Sequence, residues 1–480
     1  MKLKNLLEGV DILSSSADLT KDIADIKIDS RLVAEGDAFI CLSGATCDGH
    51  DYAADALKAG AAVIIAEKPI NCGCGVVIVK DTRIAYSLMS QNYFHNPAKS
   101  LKLVSVVGTN GKTSTAHILE AILSFSGIRT GIIGTLGHSF MGEREEALLT
   151  TPDPYKFNEL LRSMVDRGAE VVVSEVSAHA IYLKKLYGLT CDIAIFTNLT
   201  QDHLDFFQTF EDYAETKLSY FTPENVNMGV VNMDDEWGRK LIAAAKIPIV
   251  SYGLETPSDV FAIDVRPNMD GVSFILNIFD EILDISSPLY GYFNVYNLMS
   301  AITAARLLSV GADTILRAVK RIKEVEGRFN IIKSPKGMVI IDYAHTPDGL
   351  KNLLNSARII TKGQLITVFG CGGNRDKFKR PLMGKIAAEY SDYIVITSDN
   401  PRFEEPMQIM KDIEQGINGF SRYKMIVNRA DAIAYAMQEM MEGDTVVVAG
   451  KGAEKYIEIA GEKRRYSDYD VVYRRGGKRE

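Results

Sequence analysis

The sequence predicts an α/β protein built on parallel sheets. Strand-like apolar runs alternate with helical stretches along almost the whole chain, and this alternation is typical of βαβ units rather than of a β-sandwich. The 480 residues exceed the size of one hydrophobic core, so we expect three packed domains. Apolar residues make up 46% and charged residues 24%, values that exclude a disordered or collagen-like chain.

The N-terminal part of the sequence predicts a small α/β unit of its own. An apolar strand near residues 38–42 is followed by a Gly-rich loop and a helical stretch. A second apolar strand follows at residues 62–66, so the order is strand, helix, strand. This order predicts a parallel pair of strands.

Two polar connectors divide the rest of the chain. One, near residues 96–100, precedes the apolar strand 103–107, and the other, near residues 326–328, precedes the strand 338–341. The predicted domain boundaries therefore lie near residues 98 and 328, which gives domains of residues 1–98, 99–328 and 329–480.

The charge balance excludes a general attraction to polyanions. The 54 Lys and Arg residues against 62 Asp and Glu residues leave a net charge of −8, so no global positive field draws the chain to nucleic acid. Apolar runs fall well short of the roughly 18 residues that span a bilayer, and Glu8 and Asp11 interrupt any secretory signal. We expect neither a nucleic-acid partner nor membrane insertion.

Cysteine usage indicates a reducing compartment. Six cysteines are sparse in a chain of 480 residues, and only Cys72 and Cys74 lie close together, without a second pair to complete a zinc site. We therefore expect reduced thiols and a cytoplasmic protein.

A phosphate-binding loop follows the strand 103–107. Residues 108–114 read GTNGKTS, and a helical run begins directly afterwards. Glycines let backbone N–H groups turn toward a phosphate, Lys112 can reach the β and γ phosphates, and a hydroxyl can bind Mg²⁺. The loop is two residues shorter than a Walker A loop, with Val106 in the place of the first glycine. The alternative is a plain strand-to-helix turn.

Two further strands end in polar clusters. The strand 170–174 is followed by Glu175, and the strand 192–196 leads into a polar segment that contains His203. The carboxyl ends of parallel strands share one crevice with the phosphate loop, so we expect Glu175 and His203 to flank a nucleotide-bound Mg²⁺. Taken singly, Glu175 is as typical of a capping residue as of a metal ligand, and His203 is more typical of a hydrogen-bonded loop histidine than of a metal ligand.

Lys217 lies in a helical stretch, and its pattern alone is typical of a solvated helix lysine. Farther along, four apolar strands are each followed by a polar motif, which predicts a ligand crevice at one edge of a parallel sheet. The strands are 338–341 before Asp342, 365–369 before GCGGNRD, 393–397 before SDNPR and 445–449 before GKGAE.

In this order the motifs resemble those of the Mur ligases of bacterial peptidoglycan synthesis. They include DSR at 29–31, GTNGKTS, TTPD at 150–153, EVSAHA, NLTQDHLD, YNLMSA at 296–301, GRF, DYAHTPD at 342–348, GCGGNRDKFKRPLMG, DNPR at 399–402 and GKGAE. The resemblance covers nearly the whole chain. It implies an N-terminal domain for the UDP part of a substrate and a central ATPase domain with a P-loop-type sheet. It also implies a C-terminal domain with a Rossmann-like sheet, which closes over the ATP and brings the amino acid.

The resemblance implies an ATP-dependent ligase of peptidoglycan precursor synthesis. The substrates of this ligase are ATP, meso-diaminopimelate and a UDP-N-acetylmuramoyl dipeptide, namely UDP-N-acetylmuramoyl-L-alanyl-D-glutamate. Its cofactor is Mg²⁺. We expect it to act as a monomer. The γ-phosphoryl group of ATP activates a carboxylate as an acyl phosphate, which the amine attacks. The implied catalytic residues are Lys112, His203 and Lys217, and the implied metal ligands are Thr113, Glu175, His203 and Lys217 as a carbamate.

The resemblance also assigns binding residues to each substrate. For ATP they are Gly108, Thr109, Asn110, Gly111, Lys112, Thr113, Ser114, Asn297, Arg328, Asp342 and His345. For the UDP-muramoyl dipeptide they are Ser30, Thr150, Thr151, Asp153, Ser177 and Lys185, together with the loop 44–49. Lys185 stands where relatives often carry Arg, and a lysine lacks the planar two-point contact.

The added amino acid is predicted from the arginine of DNPR. Diaminopimelate differs from lysine by a second carboxylate, and Arg402 offers a bidentate, charge-assisted bond to that group. The implied amino-acid-binding residues are Arg375, Asp399, Asn400, Arg402, Gly450 and Glu454, with Glu454 near the distal ammonium. L-lysine is the alternative substrate. Two positions depart from the family pattern: Ala453 replaces the usual His, and Asn330 replaces the usual Glu.

Three competing interpretations stay open at the level of sequence. A nucleotide switch or motor would hydrolyse ATP without forming a bond, and a sugar-nucleotide sensor would bind without phosphate release. Folylpolyglutamate synthetases also use a short phosphate loop, but the DSR unit and DNPR fit them poorly. The separate crevice of DNPR and GKGAE argues against a switch, and intact Lys112, Glu175 and His203 argue against a sensor.

Overall fold

A computed structural model describes residues 1–44, 47–71, 73, 75–268 and 270–478. Ala45 and Thr46 of the loop 44–49, which is predicted to contact the UDP-muramoyl dipeptide, and the pair Cys72 and Cys74 lie outside the described residues.

Strands and helices alternate along much of the described chain, as predicted. The strands are β1 (Ile12–Ser15), β2 (Ile26–Lys27), β3 (Ala38–Ile40), β4 (Val63–Ala66), β5 (Gly75–Val79), β6 (Lys102–Val107), β7 (Thr130–Gly134), β8 (Gly137–Phe140), β9 (Glu143–Glu145), β10 (Val171–Val176), β11 (Cys191–Phe196), β12 (Val226–Asn232), β13 (Ile249–Gly253), β14 (Val260–Asn268), β15 (Gly271–Ile278), β16 (Glu281–Ser287), β17 (Asn330–Ser334), β18 (Gly337–Asp342), β19 (Leu365–Phe369), β20 (Tyr393–Ile396), β21 (Tyr423–Met425), β22 (Asp444–Ala449), β23 (Tyr456–Ile459) and β24 (Glu462–Arg465).

The helices connect these strands and cover their faces. They are α1 (Leu3–Leu6), α2 (Ala53–Lys58), α3 (Thr82–Tyr93), α4 (Lys112–Phe125), α5 (Pro154–Asp166), α6 (Ala178–Tyr182), α7 (Phe210–Leu218), α8 (Glu236–Ala244), α9 (Phe293–Leu307), α10 (Ala312–Val319), α11 (Pro347–Ile360), α12 (Lys379–Tyr390), α13 (Pro406–Glu414), α14 (Arg429–Glu439) and α15 (Asp468–Arg474). Among the described helices, none is both long and apolar enough to cross a membrane.

The chain forms two compact units. The first unit comprises Met1–Ser105, Ile128–Ala194 and Ser219–Met228, and the second comprises Val106–Gly127, Ile195–Leu218 and the described chain from Gly229 onward.

The first unit begins with a sheet in the order β1-β5-β4-β3-β2. β2, β3, β4 and β5 pair in parallel, and β1 adds an antiparallel edge. All four residues of β4 are buried, as expected for a strand covered on both faces. Helix α3 begins where Asp81 accepts hydrogen bonds from the N–H groups of Arg83 and Ile84, a side-chain N-cap.

The first unit also contains β7 to β10 of a mixed sheet. β10 pairs in parallel with β7, and β8 and β9 continue as antiparallel strands. Val171–Val176 is fully buried and extends two residues beyond the predicted strand. Glu175 therefore lies within β10 rather than after it.

The second unit contains a six-stranded sheet in the order β17-β18-β22-β19-β20-β21. Its strands from β18 to β21 pair in parallel, and β17 is an antiparallel edge. Helices α11 to α14 pack on buried strands, so polar residues at the strand ends are held by a rigid core. The predicted parallel α/β class is confirmed for this sheet.

The second unit also contains an antiparallel part, which the sequence pattern did not predict. β14, β15 and β16 form an antiparallel meander next to the parallel strands β12 and β13. The turn from β15 to β16 is tight because Phe279 and Asp280 both adopt positive φ. Buried residues alternate with more exposed ones along β15 and β16, as in a sheet with one solvated face.

Candidate active site

The phosphate loop closes tightly because two of its glycines adopt left-handed backbone angles. Gly108 has a φ of +154°, and a Cβ there would lie 1.9 Å from Thr197 Oγ1. Gly111 has a φ of +84°, and a Cβ there would lie 2.5 Å from Asn297 Oδ1. The loop therefore requires glycine at both positions, as a backbone cradle for phosphate does.

Lys112 begins helix α4 and bends back over the loop. Its Nζ donates to the carbonyl oxygens of Gly108 at 2.8 Å and Thr109 at 2.9 Å. The buried hydroxyl of Thr113 accepts a hydrogen bond from Arg328 Nη2 at 3.1 Å. The arrangement places an ammonium group against the loop at the positive end of a helix, which is a suitable environment for an anion.

The segment after β11 fixes the shape of the phosphate loop. Asn198 Oδ1 accepts from Asn110 N at 2.9 Å, and Thr197 Oγ1 donates to Asn110 O at 2.7 Å. The backbone N–H of Thr109 donates to Asn198 O at 2.8 Å. Asn110 Nδ2 also donates to Asp348 Oδ2 of helix α11 at 3.1 Å. The loop is thus held from two directions within the second unit.

Two predicted nucleotide residues lie on the helices around the loop. Asn297 is buried in α9, where its Oδ1 accepts from Thr115 Oγ1 at 3.3 Å and its Nδ2 donates to Asn294 Oδ1 at 2.9 Å. Ser114 is buried in the first turn of α4. Asn297 therefore packs against both Gly111 and α4.

His203 lies beside a buried carboxylate. His203 adopts a φ of +56°, and its Nε2 lies 3.4 Å from Asp202 Oδ2, while His345 Nε2 lies 3.6 Å from the same oxygen. Burial opposes ionisation of Asp202, but the hydrogen bond from His345 and the charges of His203 and His345 hold its pKa well below the ordinary value. The strained backbone marks His203 as a candidate functional residue.

Lys217 is buried, with 1% of its surface exposed. Its Nζ donates to Tyr213 OH at 2.5 Å and to Thr109 Oγ1 at 3.3 Å. Burial, followed by repulsion from Lys112, lowers the pKa of Lys217 well below its ordinary value. The solvated lysine that the sequence pattern favours is therefore wrong, because α7 turns this face toward the phosphate loop.

Asp342 and His345 follow β18. Asp342 accepts from the backbone N–H groups of Phe329 at 2.7 Å and Ala344 at 2.6 Å, and burial raises its pKa. His345 Nδ1 lies 2.9 Å from Tyr343 O. The Arg328 guanidinium stacks over the Tyr343 ring at 4.4 Å from its centroid. Asp342 therefore orders the turn that carries Arg328.

Glu175 lies in the first unit, where its carboxylate accepts two hydrogen bonds from Thr135. Oε1 accepts from Thr135 N at 2.8 Å and Oε2 from Thr135 Oγ1 at 2.9 Å. The hydroxyls of Thr135 and Thr150 lie 3.1 Å apart. A Cβ at Gly134 would lie 2.3 Å from Glu175 Oε1, so glycine leaves room for this carboxylate. These bonds fix the turn after β7, and a metal role for Glu175 stays a prediction.

The other predicted dipeptide residues of the first unit lie close together. Ser177 N donates to Thr151 Oγ1 at 3.0 Å, and the two hydroxyls lie 3.2 Å apart. Lys185 Nζ pairs with Asp153 Oδ1 at 2.7 Å and donates to Thr151 O at 3.4 Å. The structure thus brings Thr151, Asp153, Ser177 and Lys185 into one polar cluster.

Ser30 lies in the N-terminal sheet region of the first unit. It begins a short 3₁₀ turn, Ser30–Leu32, whose N-cap Asp29 accepts from Arg31 N at 3.0 Å and from Arg31 Nε at 2.9 Å. The DSR motif is therefore a self-capped turn that presents Ser30. Its binding role stays a prediction.

In the second unit, the ends of β20 and β22 carry a charged network. Lys451 Nζ donates to Asn400 Oδ1 and to Glu454 Oε2, both at 2.9 Å, and Asn400 Nδ2 donates to Glu454 Oε2 at 3.1 Å. Gly450 has a φ of +119°, and a Cβ there would lie 2.6 Å from Asp399 Oδ2. Lys451 was not among the predicted residues, although its place in the GKGAE motif after an apolar strand could have indicated it.

A buried ion pair between Arg429 and Asp468 lies next to this network. Arg429 binds Asp468 through two nitrogens at 2.8 Å each, and its Nη1 lies 3.9 Å from Asp399 Oδ2. Burial opposes ionisation of Asp399, but the charges of Lys451 and Arg429 hold its pKa below the ordinary value. Asp399 therefore stays anionic at the crevice. Arg429 lies in an ordinary helical pattern, so no sequence signal marked it.

Two predicted arginines have different partners. Arg402 Nε donates to Glu458 Oε2 at 3.1 Å, and its Nη1 donates to Gly373 O at 2.8 Å. Arg375 Nη1 donates to Asp205 Oδ2 at 2.8 Å, in the segment after β11. Arg402 thus lies with Asp399 and Asn400 at one strand end, whereas Arg375 points to the loop that carries His203.

The two departures from the family pattern have definite surroundings. Asn330 Oδ1 accepts from Gly327 N at 2.6 Å and from the Tyr469 hydroxyl, and Nδ2 donates to Val325 O at 3.1 Å. Ala453 lies against the same segment, since a Cβ at Gly327 would come 2.3 Å from its N atom. Asn330 therefore ties the connector to the C-terminal helix.

No cluster of three or more His, Cys, Asp or Glu side chains suited to a metal ion occurs among the described residues. The predicted oxygen donors are instead the Thr113 hydroxyl, the Glu175 carboxylate and a carbamate on Lys217, and oxygen donors are what Mg²⁺ prefers when it keeps several waters and binds substrate phosphates.

Three family models match successive parts of the chain. They are described as Mur ligase family, catalytic domain, for residues 22–103; Mur ligase middle domain, for residues 106–305; and Mur ligase, glutamate ligase domain, for residues 327–452.

Relatives match over nearly the whole length. The chain is 40% identical to a UDP-N-acetylmuramoyl-L-alanyl-D-glutamate--2,6-diaminopimelate ligase of Clostridium perfringens, covering 98% of this chain and 99% of the relative. It is also 40% identical to the protein of that name from Bacillus licheniformis, covering 99% of both. A solved structure of a ligase with the same name is 30% identical, with a TM-score of 0.71, covering 99% of this chain and 98% of the other.

Proposed function

This chain belongs to the Mur ligase family, and we propose that it is an ATP-dependent ligase that adds meso-2,6-diaminopimelate to UDP-N-acetylmuramoyl-L-alanyl-D-glutamate. The observation that carries the proposal is full-length similarity, at 40% identity, to relatives named for this reaction. The three domains are residues 1–98, 99–328 and 329–480, and the protein acts as a monomer in the cytoplasm, where ATP is available.

The reaction must overcome the poor reactivity of a carboxylate. Its negative charge repels nucleophiles, so the γ-phosphoryl group of ATP is transferred to it and gives an acyl phosphate. The free amine of the amino acid then attacks the acyl carbon, a tetrahedral intermediate forms, and phosphate leaves. Two anions meet in the first step, so positive charge at the phosphate loop is essential.

The phosphate loop and its neighbours bind ATP in this proposal. The N–H groups of residues 108–114 surround the phosphates, and Lys112, already against two loop carbonyls, exchanges these contacts for the γ-phosphate. Arg328 and Asn297 contact the nucleotide from the connector and from α9. Asp342 and His345 lie near its ribose and phosphates. The support for these roles is the packing of Asn297 and Arg328 against the loop residues Gly111 and Thr113.

Mg²⁺ supplies charge neutralisation between the phosphates and the substrate carboxylate when it is bound. Thr113, Glu175, His203 and carbamylated Lys217 are the proposed ligands, and the hydroxyl and carboxylate donors among them suit this ion. Burial of the Lys217 side chain supports carbamylation, since a carbamate formed with CO₂ can accept the hydrogen bonds of Tyr213 and Thr109. The carbamate replaces a buried amine, whose pKa is lowered by burial and by repulsion from Lys112, with an anion that Lys112 attracts.

The polar cluster of the first unit is proposed to bind the muramoyl dipeptide. Lys185 keeps a cation for the substrate carboxylates, and Thr151 and Ser177 supply hydroxyl donors. Thr150 and Asp153 complete this set, and Ser30 contacts the uridine or diphosphate part.

The crevice of the second unit is proposed to select the amino acid. Arg402 binds the distal carboxylate of diaminopimelate, Glu454 the distal ammonium, and Asp399, Asn400, Arg375 and Gly450 shape the remaining surface. Lysine has no distal carboxylate, so it would leave the Arg402 guanidinium without its ligand. The support is that Arg402, Asn400 and Glu454 belong to one hydrogen-bonded network.

Phosphate release tests the proposal directly. The enzyme is incubated with ATP, Mg²⁺ and UDP-N-acetylmuramoyl-L-alanyl-D-glutamate, with meso-diaminopimelate or L-lysine in parallel, and the product is identified by mass. We expect release and an adduct with diaminopimelate alone. Release with lysine alone would keep the ligase but contradict the role of Arg402. Hydrolysis without either substrate would favour a nucleotide switch, and binding without release would favour a sensor.

A further inference from the structure

Glu458 lies on the hairpin of β23 and β24, directly after the GKGAE motif. The backbone of this hairpin is bound to the DNPR segment at three points. Arg402 N donates to Glu458 O at 3.1 Å, and Ala460 N donates to Arg402 O at 2.7 Å. Glu458 N donates to Asn400 Oδ1 at 2.9 Å. The hairpin therefore fixes the position of both candidate amino-acid-binding residues.

The backbone of Arg402 needs this support. Its φ is +50°, in the left-handed region that a non-glycine residue adopts only at a cost. The bonds on either side of Arg402, to Glu458 O and from Ala460 N, hold the residue in that conformation. The Arg402 side chain consequently points in a different direction from the one it would take if the backbone of Arg402 were extended.

The side chain of Glu458 then fixes the guanidinium group. Glu458 Oε2 accepts from Arg402 Nε at 3.1 Å, and Gly373 O accepts from Nη1 at 2.8 Å. A Cβ at Gly372 would lie 2.9 Å from Nη1, so the group also packs against a backbone that only glycine leaves open. A guanidinium has five N–H donors, and these two bonds leave both donors of Nη2 and one of Nη1 for a ligand.

We propose that Glu458 is a positioning residue that holds the Arg402 guanidinium with its Nη2 end toward the distal carboxylate of the amino-acid substrate. A freely rotating arginine can bind an anion through its side-on edge, formed by Nε and Nη2, or through its end-on edge, formed by Nη1 and Nη2. Glu458 occupies Nε and so blocks the side-on edge, which leaves the end of the fork for one carboxylate. The inference rests on the proposed function and adds a residue that sharpens the choice between diaminopimelate and lysine.

The test compares three substitutions of Glu458 in the full-length enzyme. Glu458→Ala removes the acceptor, and Glu458→Asp keeps the charge but shortens the side chain, so that it no longer reaches Nε. Both should raise the KM for diaminopimelate about tenfold, since a hydrogen bond to a charged group is lost. Glu458→Gln keeps an acceptor at full length and should restore most of the wild-type KM.

A rise in the KM for diaminopimelate alone distinguishes a positioning role of Glu458 from a general loss of structure. The KM for ATP, the kcat at saturating diaminopimelate and the melting temperature should stay near wild type in all three variants. Glu462→Ala is the matched control, because Glu462 lies on the same hairpin, is exposed and pairs with Arg464. It should leave every constant unchanged.

A double variant shows whether Glu458 acts through Arg402. In an Arg402→Ala background, Glu458→Ala should cause no further rise in the KM for diaminopimelate. An equal rise in both backgrounds would overturn the proposal, as would wild-type KM values in Glu458→Ala or, if that variant does not fold, in Glu458→Asp. If the wild-type enzyme forms no product with diaminopimelate, the proposed function has failed instead, and this result appears before any variant is made.

Discussion

The phosphate loop and the amino-acid crevice, both in the second unit, are formed by different kinds of chemical group. The loop consists of backbone: Gly108 and Gly111 bend it, and the bonds of Lys112 reach carbonyls three and four residues away. The crevice consists of charged side chains whose partners are distant in the sequence. Arg402 binds Glu458 across 56 residues.

This difference separates the common chemistry of the site from its selectivity. Phosphate is recognised by N–H groups and a helix N-terminus, which any amide ligase of this kind needs in the same form. A distal carboxylate is recognised by one oriented guanidinium, whose orientation depends on neighbours that can change independently. Substitutions in the loop should therefore abolish the reaction, whereas substitutions in the crevice should change the substrate.

The largest effect is expected for Lys112→Ala. The change removes the ammonium group that lies against the loop carbonyls, so the γ-phosphoryl group loses charge neutralisation as it meets the substrate carboxylate. We expect the kcat for phosphate release to fall about 10³-fold. Lys411→Ala, at an exposed lysine of α13 in the same unit, is the control. Near-normal turnover of Lys112→Ala would contradict the assigned role.

Lys217→Met tests the buried lysine beside the loop. Methionine fits a buried position but cannot form a carbamate, so the kcat should fall about a hundredfold while the melting temperature is retained. Intact mass spectrometry under CO₂ should show the added mass in the wild type and not in the variant. Full activity of Lys217→Met would exclude a carbamate from the mechanism. Lys240→Met, at an exposed lysine stacked on Trp237, is the control.

Arg402→Ala tests whether the amino-acid crevice selects diaminopimelate over lysine. Loss of a charge-assisted pair should raise the KM for diaminopimelate roughly 30-fold, with little change in the KM for ATP. The preference over lysine should fall by a similar factor, because lysine never used this contact. The measurement is phosphate release at varied concentrations of each amino acid. Arg464→Ala, at an exposed arginine of β24, is the control, and an unchanged preference in Arg402→Ala would place selectivity elsewhere.

The same contrast explains what the sequence could and could not predict. Residues 108–114 and the strands that end at Phe369 and Ala449 follow local rules of glycine placement and apolar runs, and the structure confirms these elements. Glu458 and Arg429 gave no local signal, since their function comes from partners brought together only by the folded sheet. Lys217 shows the same limit: a helical pattern cannot tell which face packs against another segment.

The smallest effect is expected at the support of the crevice, where Arg380 joins its loops. The buried Arg380 guanidinium binds Glu404 through two nitrogens at 3.0 Å each and Asp412 at 2.9 Å. The hydrogen bond from Arg380 lowers the pKa of Glu404 from 4.5 to about 2. Because the folded pKa is the lower one, this stabilisation is complete above about pH 4.5 and is lost as the pH falls toward 2.

Glu404→Gln should therefore reduce the free energy of unfolding by about 1 to 2 kcal/mol at pH 7, and by less at pH 3. Urea denaturation of both proteins across this pH range measures the difference. Glu462→Gln, at an exposed glutamate, should show no such pH dependence. The kcat of Glu404→Gln should stay close to wild type, since the pair supports the loops and touches no reacting atom. A stability difference that stays constant from pH 7 to pH 3 would mean that the charge of Glu404 is not what holds these loops together.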